Sequence, residues 1–168
     1  PGVAQLTSNG VTATAIYYYD TRIMADAAKL LGKQSDFESY TTKAESIKAA
    51  FNKRYLNAEG YYDRNSQTAN AMALFMGLAP QDKKESVLQH LVQDIRSRGN
   101  ALTAGDVGYR YVIQALKDNG YSQVINDMNS RYDVPGYGWQ LAHGATALTE
   151  SWQAYGFVSN NHLMLGHL

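Results

Sequence analysis

The sequence predicts an all-α fold built from paired antiparallel helices. Three observations carry that expectation. Apolar residues recur at intervals of three and four through most of the chain, Gly-marked turns separate the periodic segments, and no alternating apolar/polar run exceeds a few residues. A chain of 168 residues is the size of one ordinary domain, so residues 1–168 are read as a single unit with one core.

The first helix is expected over residues 11–31, with Ile16, Ile23, Ala27 and Leu30 on its apolar face and Gly32 ending it in the left-handed conformation. A second helix follows at once, with Ser35 and Glu38 as a capping box and Phe37, Tyr40, Ala44, Ile47 and Phe51 as an apolar stripe. Asn57-Ala58-Glu59-Gly60 reads as a turn. Residues 67–76 are nearly all apolar or small, the composition of a helix surrounded by others, and Gly77 and Pro80 stop it. Asp82 with Glu85 suggests another N-terminal cap, followed by a broad face of Val87, Leu88, Leu91, Val92 and Ile95. Tyr109, Val112, Ile113 and Leu116 mark the next helix, ended by Asn119-Gly120, and Tyr121, Val124, Ile125 and Met128 mark a short partner. The pairs share no motif at a fixed period, so a TPR-type array is not supported; pairs divided by Gly turns suit a curved stack or toroid.

Fifteen basic residues balance fifteen acidic ones, and no Lys/Arg cluster forms a phosphate-tracking stripe, so neither nucleic acid nor an anionic membrane surface is an expected partner. A neutral ligand fits better. The absence of cysteine removes disulfide and thiolate chemistry but leaves the compartment open, an exported periplasmic or extracellular parent included. No apolar run reaches membrane-spanning length, and a start at Pro1, with neither initiator Met nor signal peptide, reads as an excised piece. The four histidines lack metal-ligand spacing and Gly105 and Gly108, read as turn residues, lack the context of a dinucleotide loop, so no metal or cofactor is expected. Thirteen tyrosines against four phenylalanines favour surfaces that combine an apolar face with a hydroxyl, as a carbohydrate cleft requires. Tyr19, Tyr40 and Tyr55, at helical spacing, are read instead as packing residues whose hydroxyls reach the rim.

The densest chemistry lies near the C-terminus. Within Gly136-Tyr137-Gly138-Trp139-Gln140-Leu141-Ala142-His143-Gly144-Ala145-Thr146-Ala147-Leu148-Thr149-Glu150-Ser151-Trp152, two indoles and a lone carboxylate share a Gly-rich, charge-poor stretch, and Ser159-Asn160-Asn161-His162 follows. A carboxylate in such surroundings is a candidate general base, which singles out Glu150.

Tyr137-Gly138-Trp139, Gly144-Ala145-Thr146-Ala147, Glu150-Ser151-Trp152 and Ser159-Asn160-Asn161-His162 resemble, in order, the end of the catalytic domain of bacterial α-L-rhamnosidases, glycoside hydrolase family 78. Upstream, Gly99-Asn100-Ala101-Leu102-Thr103-Ala104-Gly105 is similar to a turn of that family, and weaker similarity includes residues 49–56 and 67–71. The resemblance implies the second half of an (α/α)6 toroid of paired helices, whose parent hydrolyses terminal α-L-rhamnosyl linkages with inversion. It implies Glu150 as the general base that activates water, with a partner acid ~6.5–9.5 Å away. That acid belongs to an Asp/Glu-rich segment of the family's first toroid half, upstream of this sequence. Asp106 is the only other carboxylate expected near the same rim, and the family does not use it as the acid. His162 matches a histidine that hydrogen-bonds the sugar, and Tyr137, Trp139 and Trp152 are the expected substrate-binding aromatics.

The sequence also departs from the pattern. The family usually places Trp where Tyr137 stands, Tyr where Trp139 stands, and a bulky aromatic at Leu148 or Thr149, so the pocket is recut. Two rival readings remain: a sugar-binding or scaffold toroid piece without catalysis, and a related toroid hydrolase or lyase for another sugar. A partial ring would be inactive alone, and its uncovered apolar faces predict self-association.

Overall fold

In the computed structural model, residues 5–146 and 152 are described, without the Asp106 side chain. Seven helices lie among them: α1 (Asn9–Leu30), α2 (Gln34–Tyr55), α3 (Gln67–Phe75), α4 (Lys84–Ser97), α5 (Asp106–Asp118), α6 (Ser122–Asn129) and α7 (Tyr137–Ala142). The only extended pairing among the described residues is the bridge of Leu56 with Tyr62, which closes the turn between α2 and α3. The Asn57 N–H donates to the Tyr61 carbonyl at 3.1 Å and Gly60 N–H to Asn57 at 3.2 Å, as the turn composition predicts.

The helices form two layers. Helix α1 packs on both α2 and α3, α3 on both α4 and α5, and α5 on α6. So α1, α3 and α5 stand in a row, each backed by its successor in the chain. The core runs between the layers, from Val11, Ala15 and Tyr18 through Phe51, Met72, Val87, Leu91 and Ile95 to Tyr109, Val112, Leu116 and Met128. The apolar stripes expected for α4, α5 and α6 face the core, with Val92, Tyr121 and Ile125 partly buried; on α2 only Ala44 and Phe51 are fully covered. Among the described residues no helix is long and apolar enough to cross a membrane.

Four expectations are corrected. On α1 the buried face is Val11, Ala15, Tyr18, Thr21, Ala25 and Ala28, whereas Ile16, Ile23 and Leu30 are exposed, Leu30 to 88%. Mostly small side chains line the face that α1 buries, with Val11 and Tyr18 beside them, while Ile16, Ile23 and Leu30 are left outside. The Ser35/Glu38 box does not form. Gly32, at φ +69°, turns the chain so tightly that Lys33 N–H reaches the Ala28 carbonyl at 2.9 Å and α2 already begins at Gln34. Ser35 then lies inside the first turn, and Glu38 accepts from Gln34 Nε2 at 2.7 Å. Nor do Asp82 and Glu85 cap α4: Lys83 N–H bonds the Pro80 carbonyl at 3.0 Å, a turn that runs directly into the helix. Finally, Gly108 is no turn residue. It lies inside α5 against α3, where a Cβ would overlap the Thr68 hydroxyl and stand 3.0 Å from Thr68 Cβ.

Tyr55 packs as expected, against Phe51 with centroids 5.1 Å apart; Tyr19 meets Phe75 at 5.9 Å but stays 36% exposed.

Candidate functional site

The N-terminal ends of α1, α3 and α5 share one rim, held by polar side chains. Before α1, Ser8 N–H and Oγ donate to the Asp63 carboxylate at 3.0 and 2.8 Å, and Thr7 and Ser66 hydroxyls lie 2.6 Å apart. Ser66 Oγ in turn accepts from Ala69 N–H at 3.2 Å, capping α3. The first residue of α3, Gln67, is fully buried, and its amide is satisfied on every side. Its Nε2 donates to Asp94 Oδ2 at 3.0 Å and to the Ala101 carbonyl at 3.1 Å, and its Oε1 accepts from Thr103 N–H at 3.0 Å. Gln5 bridges the same groups, accepting from Gln67 N–H at 2.9 Å and Thr103 Oγ1 at 2.6 Å and donating to Asp94 at 3.1 Å. Arg98 Nε donates to both Asp94 oxygens at 3.0 Å. The Asp94 carboxylate, its side chain only 12% exposed, is tolerable there because it is paired and hydrogen-bonded through both oxygens.

This network fixes the turn of residues 99–105, which starts with two left-handed residues, Gly99 and Asn100, both at φ +66°. Ala101, Leu102, Thr103 and Ala104 are all buried, and Leu102 N–H reaches the Pro135 carbonyl at 3.4 Å. On the other side of the turn lies Trp152. Its indole Nε1 donates to the Ala104 carbonyl at 3.0 Å, and its ring stands edge-on to Tyr109 at 5.0 Å and to Tyr137 at 5.5 Å. Tyr109 and Tyr137 are themselves perpendicular at 5.8 Å, so three aromatics close a triangle whose edge-to-face contacts match their ring quadrupoles. Burial pushes the Tyr109 hydroxyl well above the ordinary tyrosine range, with Tyr137 adding to the effect, and raises Tyr137 as well.

Trp139 points elsewhere, stacking on His143 with centroids 3.9 Å apart while His143 Nδ1 contacts the Trp139 carbonyl at 2.8 Å. Between Tyr137 and Trp139, Gly138 is buried against the backbone: a Cβ there would overlap the Arg131 carbonyl oxygen. The middle position of Tyr137-Gly138-Trp139 thus admits only glycine without backbone movement.

The structure therefore joins Tyr137 with Trp152, while Trp139 stacks on His143. Glu150 and His162 lie outside the described residues. Three contributors were missed from sequence as site residues: Gln67, Tyr109 and the Ala104 carbonyl. Tyr109 reads only as a helix-core residue, and a backbone carbonyl has no signature. Gln67 has two signals: it opens the 67–71 stretch weakly similar to the family, and it is a long polar side chain at the head of a segment nearly all apolar or small.

With this geometry in view, comparison with known proteins is specific. The family model of the bacterial alpha-L-rhamnosidase 6 hairpin glycosidase domain matches residues 2–168. Curated relatives include alpha-L-rhamnosidases of Formosa agariphila, 25% identical over 89% of this chain and 16% of the relative, and of Streptomyces avermitilis, 27% identical over 90% and 15%. The chain thus spans less than a fifth of the length of these relatives. Among solved structures, the alpha-L-rhamnosidase of Dictyoglumus thermophilum matches with TM-score 0.89 and 34% identity over 99% of this chain and 20% of that one. The Streptomyces avermitilis enzyme complexed with L-rhamnose matches with TM-score 0.90 and 26% identity over 99% and 17%. The two-layered helix pairs are part of an (α/α)6 toroid, and the chain belongs to the bacterial alpha-L-rhamnosidase six-hairpin glycosidase family.

Proposed function

We propose that this chain is part of a glycoside hydrolase that cleaves terminal α-L-rhamnosyl linkages with inversion, and that residues 1–168 form one unit, the C-terminal portion of the catalytic toroid. One observation carries the reading. The two stretches that resemble the family, residues 99–105 and 137–152, are far apart in sequence yet meet where the Trp152 indole bonds the Ala104 carbonyl. Trp152 is also the described residue nearest to Glu150 along the chain.

Inversion requires a base and an acid on opposite faces of the sugar. Glu150 is the base: it takes a proton from water, whose oxygen attacks the anomeric carbon as the glycosidic bond breaks. The acid that protonates the departing oxygen comes from a part of the toroid outside this chain. His162 hydrogen-bonds the sugar hydroxyls, Tyr137 and Trp139 present apolar faces to its ring and methyl group, and Trp152, 6% exposed, backs Tyr137 at the edge of the site. The substrate class follows from the relatives' activity and from the L-rhamnose bound to one of them.

Turnover of an aryl α-L-rhamnoside by the full-length parent tests the assignment. Replacing Glu150→Gln lowers kcat by at least ~100-fold, since a general base contributes ~10²–10⁴-fold; an unchanged rate would make this a sugar-binding scaffold. The 168-residue chain alone, lacking the acid, gives no turnover. It self-associates through the exposed apolar residues of α1, a property that light scattering reads directly.

A further inference from the structure

We propose that Gln67 is a positioning residue of the sugar site, acting through the turn of residues 99–105 on the Trp152 indole. The inference rests on the reading of Trp152 as part of the sugar site. Its basis is the way one buried amide grips two peptide units of the same turn. Nε2 holds the Ala101 carbonyl at 3.1 Å while Oε1 holds the Thr103 N–H at 3.0 Å, the donor-and-acceptor pairing that a neighbouring strand would supply. The second Nε2 hydrogen is spent on Asp94 at 3.0 Å, which Arg98 neutralises, so the amide cannot rotate without breaking a charge-assisted bond. The next carbonyl along the turn, Ala104, accepts the Trp152 indole N–H at 3.0 Å.

Only an amide can do this. A carboxylate at position 67 has no donor for Ala101 and repels Asp94, and a hydrocarbon leaves the buried Ala101 carbonyl and Thr103 N–H without the partner that Gln67 supplies. Because Gln67 heads α3, which is enclosed by α1, α4 and α5, the arrangement refers the indole to a buried helix rather than to the turn itself.

The test is a double-mutant cycle in the full-length parent, combining Gln67→Met with Trp152→Phe, which removes the indole N–H. Gln67→Met lowers kcat/KM by about 10- to 100-fold, mostly through KM, and has little further effect once Trp152→Phe is present. Losses that add in the double variant, or a lowered Tm with unchanged kcat/KM, overturn the proposal. Should Gln67→Met fail to fold, Gln67→Glu takes its place in the cycle; it keeps an acceptor for Thr103 N–H and loses the donor to the Ala101 carbonyl. A smaller, again non-additive, rise in KM supports the proposal, and additivity overturns it. Glu150→Gln in the same parent separates the two levels. An inactive Glu150→Gln enzyme with additive losses at Gln67 defeats this proposal alone, and an active one defeats the site reading together with it.

Discussion

Helices α1 and α3 are neighbours, yet they treat apolar residues in opposite ways. In α3 seven of nine residues are buried, including the polar Gln67 and Asn70, whereas in α1 only six of 22 are buried and Ile16, Ile23, Met24 and Leu30 are exposed. The difference lies in their neighbours. Helix α3 is enclosed by α1, α4 and α5, so polar groups on it must find protein partners: Asn70 accepts from Tyr62 N–H at 2.9 Å and donates to Asn65 at 2.7 Å. Helix α1 spends its small residues on α2 and leaves a column of large ones facing outward. Local composition therefore does not tell core from surface; the number of packed neighbours does.

The contrast can be broken most directly by matched truncations. Met72→Ala on α3 costs about 2–5 kcal/mol, while Ile23→Ala on α1 costs less than about 1 kcal/mol, read from urea midpoints; equal costs would erase the distinction. Next in size is Gly108→Ala, which drives a methyl into the β-branched Thr68 at the contact of α3 and α5 and destabilises by about 1–3 kcal/mol. Adding Thr68→Ala recovers most of that loss if close approach is the cause.

A third test uses pH. Burial raises the Tyr62 and Tyr109 hydroxyls above the ordinary tyrosine pKa of about 10, so below that pH their contribution is constant. Above it the unfolded chain loses protons that the folded chain keeps, so stability falls as pH rises, until the folded hydroxyls ionise too. Tyr109→Phe makes the decline of Tm between about pH 10 and 11 shallower; an unchanged slope would show that the hydroxyl is not protected by burial. The smallest effect on stability belongs to Ile23→Lys with Leu30→Lys, expected to leave the unfolding midpoint within about 0.5 kcal/mol while abolishing self-association of the isolated chain. Retained association would move the sticky surface away from α1.

Much of this fold was legible in the sequence because it is local. Three-and-four spacing located α2, α4, α5 and α6, a run of apolar and small residues located α3, and the turn at residues 57–60 needed only its composition. The misreadings share one cause. On α1 the large apolar residues outweigh the small ones in any hydrophobic count, but close packing against α2 selects the small ones. At the starts of α2 and α4, capping signals were present, yet hydrogen bonds within the preceding turns set the boundaries. Of the site, the motif around Tyr137 and Trp152 was visible in sequence, whereas the clamp at Gln67 joins residues 27, 34 and 36 positions away and leaves no local pattern.

By itself, the sequence determined the helical class, the order of the elements, and the motifs that resemble the rhamnosidase family, since each depends on residues within a few positions of one another. Tertiary structure alone decided which face of α1 is core, why residue 108 is glycine, and which indole joins the Tyr109–Tyr137 pair. Those outcomes depend on contacts between distant segments, and the cost of bringing such segments together is repaid only when the whole array is packed.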